Sequence, residues 1–306
     1  MSDRVRRFLL HGAPVRGEIV TLDEAWREVV SRHELPASVR ARLGELSAAA
    51  LLLAATLKFD GALVMQIQGD GPVALFVVEC QTDGRYRATV KLREDAGAIA
   101  DQASLPSLVD ASGRGRFVVT LDPRSDAPGR QPWQGIVPLD GDTVAEVLER
   151  YMLQSEQLPT RLWLAADDRR AVGLLLQRMP DEGGREPALH ARDDDGWERL
   201  QHLAETITPT ELLELPAEQI LHRLFWQESL HGFDSREFRF ACNCSRDKVV
   251  GMLKLLGSAE VDSILRERGG VEVRCDFCNQ LWQLDAVDCA LVFADGETPP
   301  GSASYH

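Results

Sequence analysis

Four cysteines near the C-terminus carry a residue type and a spacing that could do chemistry. They form a CxC motif, Cys242-Asn243-Cys244, and a CxxC motif, Cys275-Asp276-Phe277-Cys278, with thirty residues between the two motifs. Zinc favours four thiolate ligands in tetrahedral geometry, and cysteine pairs brought together by an intervening fold can supply them. We therefore expect a Zn²⁺ site whose ligands are Cys242, Cys244, Cys275 and Cys278.

The compartment decides what these thiols do, because they would form disulfides outside the cell and bind metal or sense oxidants inside it. Residues 1–22 lack the sustained apolar core and the small-residue cleavage site of a secretion signal. The longest apolar stretch, residues 46–57, has twelve residues, whereas a membrane-spanning helix needs about 20. We expect a cytoplasmic protein with a buried helix at residues 46–57 and no membrane segment.

The overall charge bears on possible partners. The formal net charge is −14 at pH 7, and the sequence pI is near 5.0. Because non-specific affinity for nucleic acid comes mostly from cationic side chains that contact phosphates, this charge argues against nucleic-acid binding. The length of 306 residues is enough for about two domains of ordinary size.

Strand-like and helix-like patterns alternate from Val5 to about Pro180, which predicts a mixed α and β domain. We expect strands at residues 4–10, 15–22, 62–68, 72–80, 86–92, 116–121, 135–139, 162–166 and 171–177. Helices are expected after an N-cap at Asp23, from Pro36 until Gly61 ends the second helix, and over residues 143–157. Gly69-Asp70-Gly71 predicts a hairpin turn and not a phosphate loop, because it lacks the lysine and the strand-to-helix context of such loops.

Residues 197–226 form a connector of a different kind, with short predicted helices interrupted at Pro209 and Pro216. Its apolar side chains are Trp197, Leu200, Leu203, Ile207, Leu212, Leu213, Leu215, Ile220, Leu221, Leu224, Phe225 and Trp226. Helices this short are marginal alone, so the connector must pack against a neighbour. That neighbour is either the first domain or the metal module.

Between the two cysteine pairs, residues 248–256 and 261–268 predict two helices with a thin core. The apolar residues available for that core are Val249, Met252, Leu253, Leu256 and Ile264. A structural zinc ion contributes about 10–16 kcal/mol, against a total stability of about 5–15 kcal/mol for a whole domain. We therefore expect the module to unfold without metal.

Oxidation of the bound thiolates to disulfides would remove every zinc ligand at once. The natural pairs are Cys242 with Cys244 and Cys275 with Cys278, and a CxC disulfide closes a very small ring that tends toward easy reduction. Two interpretations remain open. The site is either structural and never releases its metal, or it is a switch whose loss would expose the apolar connector.

The remaining candidate groups carry no predicted role. Cys80 and Cys289 lie in apolar runs and are expected to be buried thiols. The seven histidines, His222 and His231 among them, show no metal-ligand spacing. No other nucleophile with a base is assembled, and the CxxC motif lacks the thioredoxin-like strand-to-helix context, so we expect no enzyme activity.

Beyond the cysteines, several blocks in order resemble the 33-kDa heat-shock proteins, a family of redox-regulated holdase chaperones. These blocks are Leu57-Lys58-Phe59-Asp60-Gly61, Gln66-Ile67-Gln68-Gly69-Asp70-Gly71-Pro72, Gly135-Ile136-Val137-Pro138-Leu139, Ser155-Glu156-Gln157 and Gly173-Leu174-Leu175-Leu176-Gln177-Arg178-Met179-Pro180. The resemblance spans nearly the whole chain.

The resemblance implies a reduced, zinc-bound and inactive monomer. It also implies that oxidation with mild unfolding forms both disulfides, expels zinc, melts the connector and yields a homodimer that holds unfolding clients without ATP. The expected fold class is α+β. It comprises an N-terminal mixed α/β domain for client binding and dimerisation (1–180), a metastable helical linker (181–238), a C-terminal redox-switch zinc domain (239–293) and a disordered tail (294–306).

The alternative function is a constitutive zinc-ribbon-type adaptor that binds a protein or nucleic acid. From Ala241 to Ala290 the sequence has six Arg and Lys against eight Asp and Glu, a net charge of −2 before zinc and thiolates are counted. Such a module is poorly charged for nucleic acid. The adaptor hypothesis therefore favours a protein partner.

Overall fold

The computed structural model describes residues 3–10, 13–57, 60–123, 131–180, 195–232 and 235–294. Two compact units make up the chain, Met1–Ala241 and Cys242–His306. The fold class is α+β, as predicted. Residues 181–194 of the expected linker and residues 295–306 of the expected tail lie outside the described residues, whereas Ala294, counted with the tail, is the last residue of a helix.

The first unit contains most of the strands and helices. Its strands are β1 (Arg4–Leu10), β2 (Val15–Leu22), β3 (Gly61–Gln68), β4 (Val73–Gln81), β5 (Arg85–Leu92), β6 (Arg116–Pro123), β7 (Trp133–Pro138), β8 (Thr160–Ala166), β9 (Ala171–Arg178), β10 (Leu230–Gly232), β11 (Arg236–Glu237) and β12 (Arg239–Phe240). Its helices are α1 (Glu24–Val30), α2 (Ala37–Thr56), α3 (Leu105–Val109), α4 (Val144–Ser155), α5 (Gly196–Ala204), α6 (Pro209–Glu214) and α7 (Ala217–Phe225).

Two sheets enclose the central helix α2. The first sheet has the order β10-β1-β2-β9-β8, with β11 also paired to β1, and the second has the order β12-β5-β4-β3-β6-β7. Helix α2 is apolar on all sides and contacts both sheets, which explains why residues 46–55 are buried. The predicted buried helix is confirmed, but it ends at Thr56, and Gly61 begins β3 instead of ending the helix.

The GDG tripeptide lies in the turn between the antiparallel strands β3 and β4, as predicted. A Cβ atom added at Gly69 would lie 1.7 Å from the carbonyl oxygen of Val109, and one at Gly71 would lie 2.4 Å from that of Leu108. The glycines are needed because α3, a helix that the sequence patterns did not predict, approaches this turn with its backbone.

The start of α1 differs from the prediction. The Asp23 side chain makes no capping hydrogen bond. Instead the carboxylate of Asp3 accepts hydrogen bonds from the backbone N–H groups of Asp23, at 2.7 Å, and Ala25, at 3.1 Å. Asp3, which directly precedes β1, therefore caps α1. Its carboxylate accepts from N–H groups at the start of the helix that have no partner within the helix.

Strand β9 lies between the helix α2 and the connector. The side chains of residues 171–177 are buried on both faces of the first sheet. One face packs on α2, and the other packs under helices α5–α7 in a second apolar cluster. The connector therefore packs on the first domain. None of the helices in the described residues is long and apolar enough to cross a membrane.

Candidate metal centre and the connector helices

The four cysteines of the candidate metal centre belong to the second unit. That unit contains helices α8 (Arg246–Leu256), α9 (Ser258–Arg268) and α10 (Ala286–Ala294) with the strands β13 (Val271–Arg274) and β14 (Leu281–Leu284). The CxC motif lies just before α8, whose first turn is capped by the Ser245 hydroxyl accepting from the backbone N–H of Lys248 at 3.3 Å. This cap fixes the direction in which the chain leaves Cys244.

The CxxC motif lies in the turn of the β13–β14 hairpin. The N–H of Asn279 donates to the carbonyl of Cys275 at 2.9 Å, and the N–H of Cys275 donates to the carbonyl of Gln280 at 3.0 Å. Asn279 has a φ of 59°, a left-handed conformation that asparagine tolerates better than most residues. The sharp turn brings Cys275 and Cys278 to the same side of the hairpin.

The four predicted ligands come together. Their sulfur atoms all lie within 4.8 Å of one another, so the cluster could hold a metal ion. The Sγ atoms of Cys242 and Cys275 are 3.6 Å apart, and those of Cys244 and Cys278 are 3.4 Å apart. With Zn–S bonds of about 2.3 Å, a tetrahedral site requires sulfurs about 3.8 Å apart. The cluster therefore has the ligand type and approximate dimensions of a tetrathiolate zinc site.

All six cysteines are free thiols, so no disulfide is present in the cluster. Burial raises the pKa of Cys242, but hydrogen bonds from the backbone N–H of Cys244 and from the neighbouring thiols lower it by more. The result is a pKa of about 7, below the usual value of 9.0 for a thiol. Burial raises the pKa of Cys278 to about 12. Deprotonation of further thiols in the cluster places like charges together and is favoured by a bound cation.

The core of the second unit is thin and differs in part from the prediction. Its buried residues are Val249, Leu253, Val261, Val271, Leu284, Cys289 and Val292. Met252 and Leu256 are 45% and 49% exposed, so their predicted core positions are wrong. On α8 the buried residues are Val249 and Leu253, on the side of the helix that packs against α9 and α10. Ile264 of α9 is partly buried.

Helix α10 supplies part of this core and was not predicted. The backbone N–H of Asp288 donates to the Asp285 carboxylate at 2.8 Å, which caps the start of α10. The Asp288 carboxylate also pairs with Arg246 on α8. Cys289 is 1% exposed and packs in the core, and Cys80 is 1% exposed in the first unit, as expected of buried thiols. Burial raises the pKa of both.

The connector helices cover one face of the first sheet, and most of the predicted apolar residues of the connector pack there. Leu200, Ile207, Leu212, Ile220, Leu224 and Phe225 are buried there. Phe225 packs on Phe8 of β1, with ring centroids 6.1 Å apart. Trp226, counted with them in the sequence, is 67% exposed, because α7 ends at Phe225 and the next side chain turns away from the sheet.

Polar contacts also hold the connector. Arg6 pairs with Glu218 of α7, and the Arg170 guanidinium donates to the carbonyl of Leu213 at 2.6 Å. Arg161 donates to the amide oxygen of Gln201 at 2.9 Å. The ion pair between Arg6 and Glu218 is partly exposed and contributes about 0–1 kcal/mol, so apolar burial dominates the docking.

We expect Phe225→Ala to weaken connector docking by about 3 kcal/mol, because truncation of a buried phenylalanine loses apolar contact and leaves a cavity. Trypsin should then cleave faster after Arg199 and Arg223 in the reduced, metal-loaded protein. The neighbouring Trp226→Ala variant is the control and should change the cleavage rate little. Equal acceleration in the two variants would contradict the observed packing.

Comparisons with known proteins agree with these features. The family model described as Hsp33 protein matches residues 3–285. The 33 kDa chaperonin of Chromobacterium violaceum is 47% identical over 291 residues, covering 95% of this chain and 94% of that protein. The 33 kDa chaperonin of Methylobacillus flagellatus is 44% identical over 307 aligned positions, covering 100% and 99%.

A solved structure resembles the whole fold. The crystal structure of the 33 kDa chaperonin of Thermotoga maritima, an Hsp33 homologue, has a TM-score of 0.77 at 20% sequence identity and covers 95% of this chain and 98% of that one. At this identity the likeness establishes the fold alone. Together with the family match over nearly the full length, it shows that this chain belongs to the Hsp33 family of chaperones.

Proposed function

We propose that this chaperone is a redox-regulated, ATP-independent holdase of the cytoplasm that responds to oxidative stress. Cys242, Cys244, Cys275 and Cys278 hold Zn²⁺ in the reduced, inactive form. Oxidation joins Cys242 to Cys244 and Cys275 to Cys278, and zinc leaves. The observation that carries the proposal is the cluster of four free thiols in a unit with a small apolar core.

In this proposal each disulfide forms within one motif, although sulfurs of different motifs are also close together. The sulfurs of residues 242 and 275, and those of 244 and 278, are neighbours only while the cluster holds both segments together. Once the metal leaves and the segments separate, the cysteines that remain close are those within each motif, because closing a short loop loses little chain entropy. One disulfide then forms within the CxC motif and the other within the CxxC motif.

The client-binding surface in this proposal is the face of the first sheet that the connector covers. Phe8, Val15, Ile19, Leu174 and Leu176 lie on this face and are buried under α5–α7. Release of the helices would expose a continuous apolar surface, together with the apolar faces of the helices themselves, and such a surface binds unfolding proteins. The first domain, residues 1–180, would also form the active homodimer.

The test treats the reduced, metal-loaded protein with hypochlorite, or with peroxide at raised temperature. We expect zinc release, formation of a dimer in sedimentation, and suppression of light scattering from a thermally unfolding client without ATP. An oxidised protein that keeps its metal, or that loses it and leaves client aggregation unchanged, contradicts the proposal. Binding of a folded partner by the reduced form would favour the adaptor, and salt-dependent binding of RNA would favour a nucleic-acid role.

A further inference from the structure

The chain between the connector helices and the first two thiols is attached to both sheets of the first unit. We call the described residues 230–232 and 235–241 the clasp. Strands β10 and β11 pair with β1, at the edge of the first sheet. Strand β12 pairs in parallel with β5, at the edge of the second sheet. The clasp therefore bridges the two sheets immediately before Cys242.

Arg236 is the side chain that fastens the clasp at its centre. Its guanidinium donates to the carbonyl of Ala54 in the last turn of α2, at 3.2 Å, and to the carbonyl of Thr82 after β4. The same group lies over the ring of Phe238, 5.2 Å from its centroid. A guanidinium that donates to carbonyls of two separate elements contributes more to stability than an exposed ion pair does.

Backbone contacts complete the attachment. The N–H of Phe238 donates to the carbonyl of Asp3 at 2.7 Å, and the Phe238 side chain is 4% exposed. The N–H of Arg239 donates to the carbonyl of Gly84 at 2.9 Å. Gly84 has a φ of 86°, and a Cβ added there would lie 2.5 Å from the carbonyl oxygen of Glu237. These contacts all join the clasp to residues 3–86 of the first unit.

We propose that the clasp is a second lock, whose attachment decides whether the loss of metal reaches the connector helices. Unfolding that spreads along the chain from Cys242 towards α7 must pass through it. Because the clasp is held by the first unit, its contacts persist when the metal module unfolds. The connector then stays docked until heat or another unfolding stress detaches the clasp. This inference rests on the proposed function, since it concerns how that switch is transmitted.

The test removes the metal from the full-length protein with a chelator under reducing conditions and follows amide hydrogen exchange in α5–α7. In the wild type we expect residues 242–294 to lose protection while residues 196–225 keep it. In Arg236→Ala, metal removal should accelerate exchange in residues 196–225 by about tenfold or more. Arg239→Ala removes the same charge from the next strand, where the side chain is exposed, and should behave as wild type.

A second variant attacks the clasp without touching Arg236. Gly84→Ala should displace the backbone at Glu237, so that metal removal also accelerates exchange in the connector of this variant. Arg236→Lys keeps the positive charge and should accelerate exchange less than Arg236→Ala does. The inference is overturned if connector exchange rises equally in wild type and both variants after chelation, or in none of them. This measurement uses no oxidant and no client, so the holdase function can fail while the clasp is upheld, and the reverse.

Discussion

Removal of the metal from the reduced protein is expected to unfold residues 242–294 while the first unit stays folded. Residues 242–294 of the second unit bury seven apolar side chains, against a far larger cluster around α2 in the described part of the first unit. A structural zinc ion contributes about 10–16 kcal/mol, more than such a small core can supply. The module should therefore lose its helical signal and its fixed tertiary structure on chelation.

Trp282 and Trp26 report the two units separately. Trp282 packs at the edge of the module core, and Trp26 is buried in the first unit. Chelation should change the emission of Trp282 and leave that of Trp26 unchanged, which single-tryptophan variants can separate. Cys278→Ser should give the same unfolded module because a ligand is lost, whereas Cys289→Val, which keeps a buried apolar side chain, should retain the metal. A module that stays folded without metal contradicts the account.

Glu18→Gln is expected to stabilise the first unit at neutral and alkaline pH. Glu18 is 1% exposed in β2, and neither carboxylate oxygen has a hydrogen-bond partner among the described residues. Burial raises its pKa from 4.5 to about 8, against smaller lowering effects of Arg16 and Arg7. The folded protein therefore holds a proton on Glu18 that the unfolded chain has lost at neutral pH.

The sign of the pH dependence follows from that proton. Because the folded state binds the proton more tightly, the free energy of unfolding falls as the pH rises from about 4.5 to about 8, by about 1.4 kcal/mol per pH unit. The full loss is about 5 kcal/mol, and it is complete above the folded-state pKa. Glutamine has the same shape and no charge, so the variant lacks this slope.

Urea unfolding of the first unit, followed by Trp26 emission at about pH 5 and about pH 9, measures this effect. Wild type and Glu18→Gln should be similar at the lower pH and differ by several kcal/mol at the higher pH. Glu34→Gln removes a carboxylate from an exposed position and is the control. A difference between wild type and Glu18→Gln that does not grow with pH would show that Glu18 is ionised in the folded protein.

Much of the fold could be predicted because its elements are long and their apolar patterns are regular. The nine longer strands of the first unit and the helices α1, α2 and α4 were expected within a few residues of their observed bounds. The clasp strands were not, since segments of two or three residues have no periodicity to detect. The cap of α1 was assigned to Asp23 because the true cap, Asp3, is distant in sequence.

The cluster of four cysteines could be predicted from the spacing of the CxC and CxxC motifs, because two closely spaced cysteine pairs are the usual source of four thiolate ligands. The chemistry of Glu18 was not, because a glutamate beside Arg16 in a strand reads as a surface residue. Burial of Glu18 depends on where α2 and β9 pack, which is decided by the whole fold. The sequence also predicts Met252 and Leu256 in the core of the module, but both are exposed, because the packing of α8 decides which of its apolar residues face inward.

The most direct test of the central claim measures metal content, thiol count and disulfide connectivity on one sample before and after oxidation. We expect one zinc ion per reduced chain and complete metal loss on oxidation. Four thiols should disappear, forming the bonds Cys242–Cys244 and Cys275–Cys278, while Cys80 and Cys289 stay reduced. Retention of the metal after the four thiols are oxidised, or bonds that join residue 242 to 275 and 244 to 278, would contradict it.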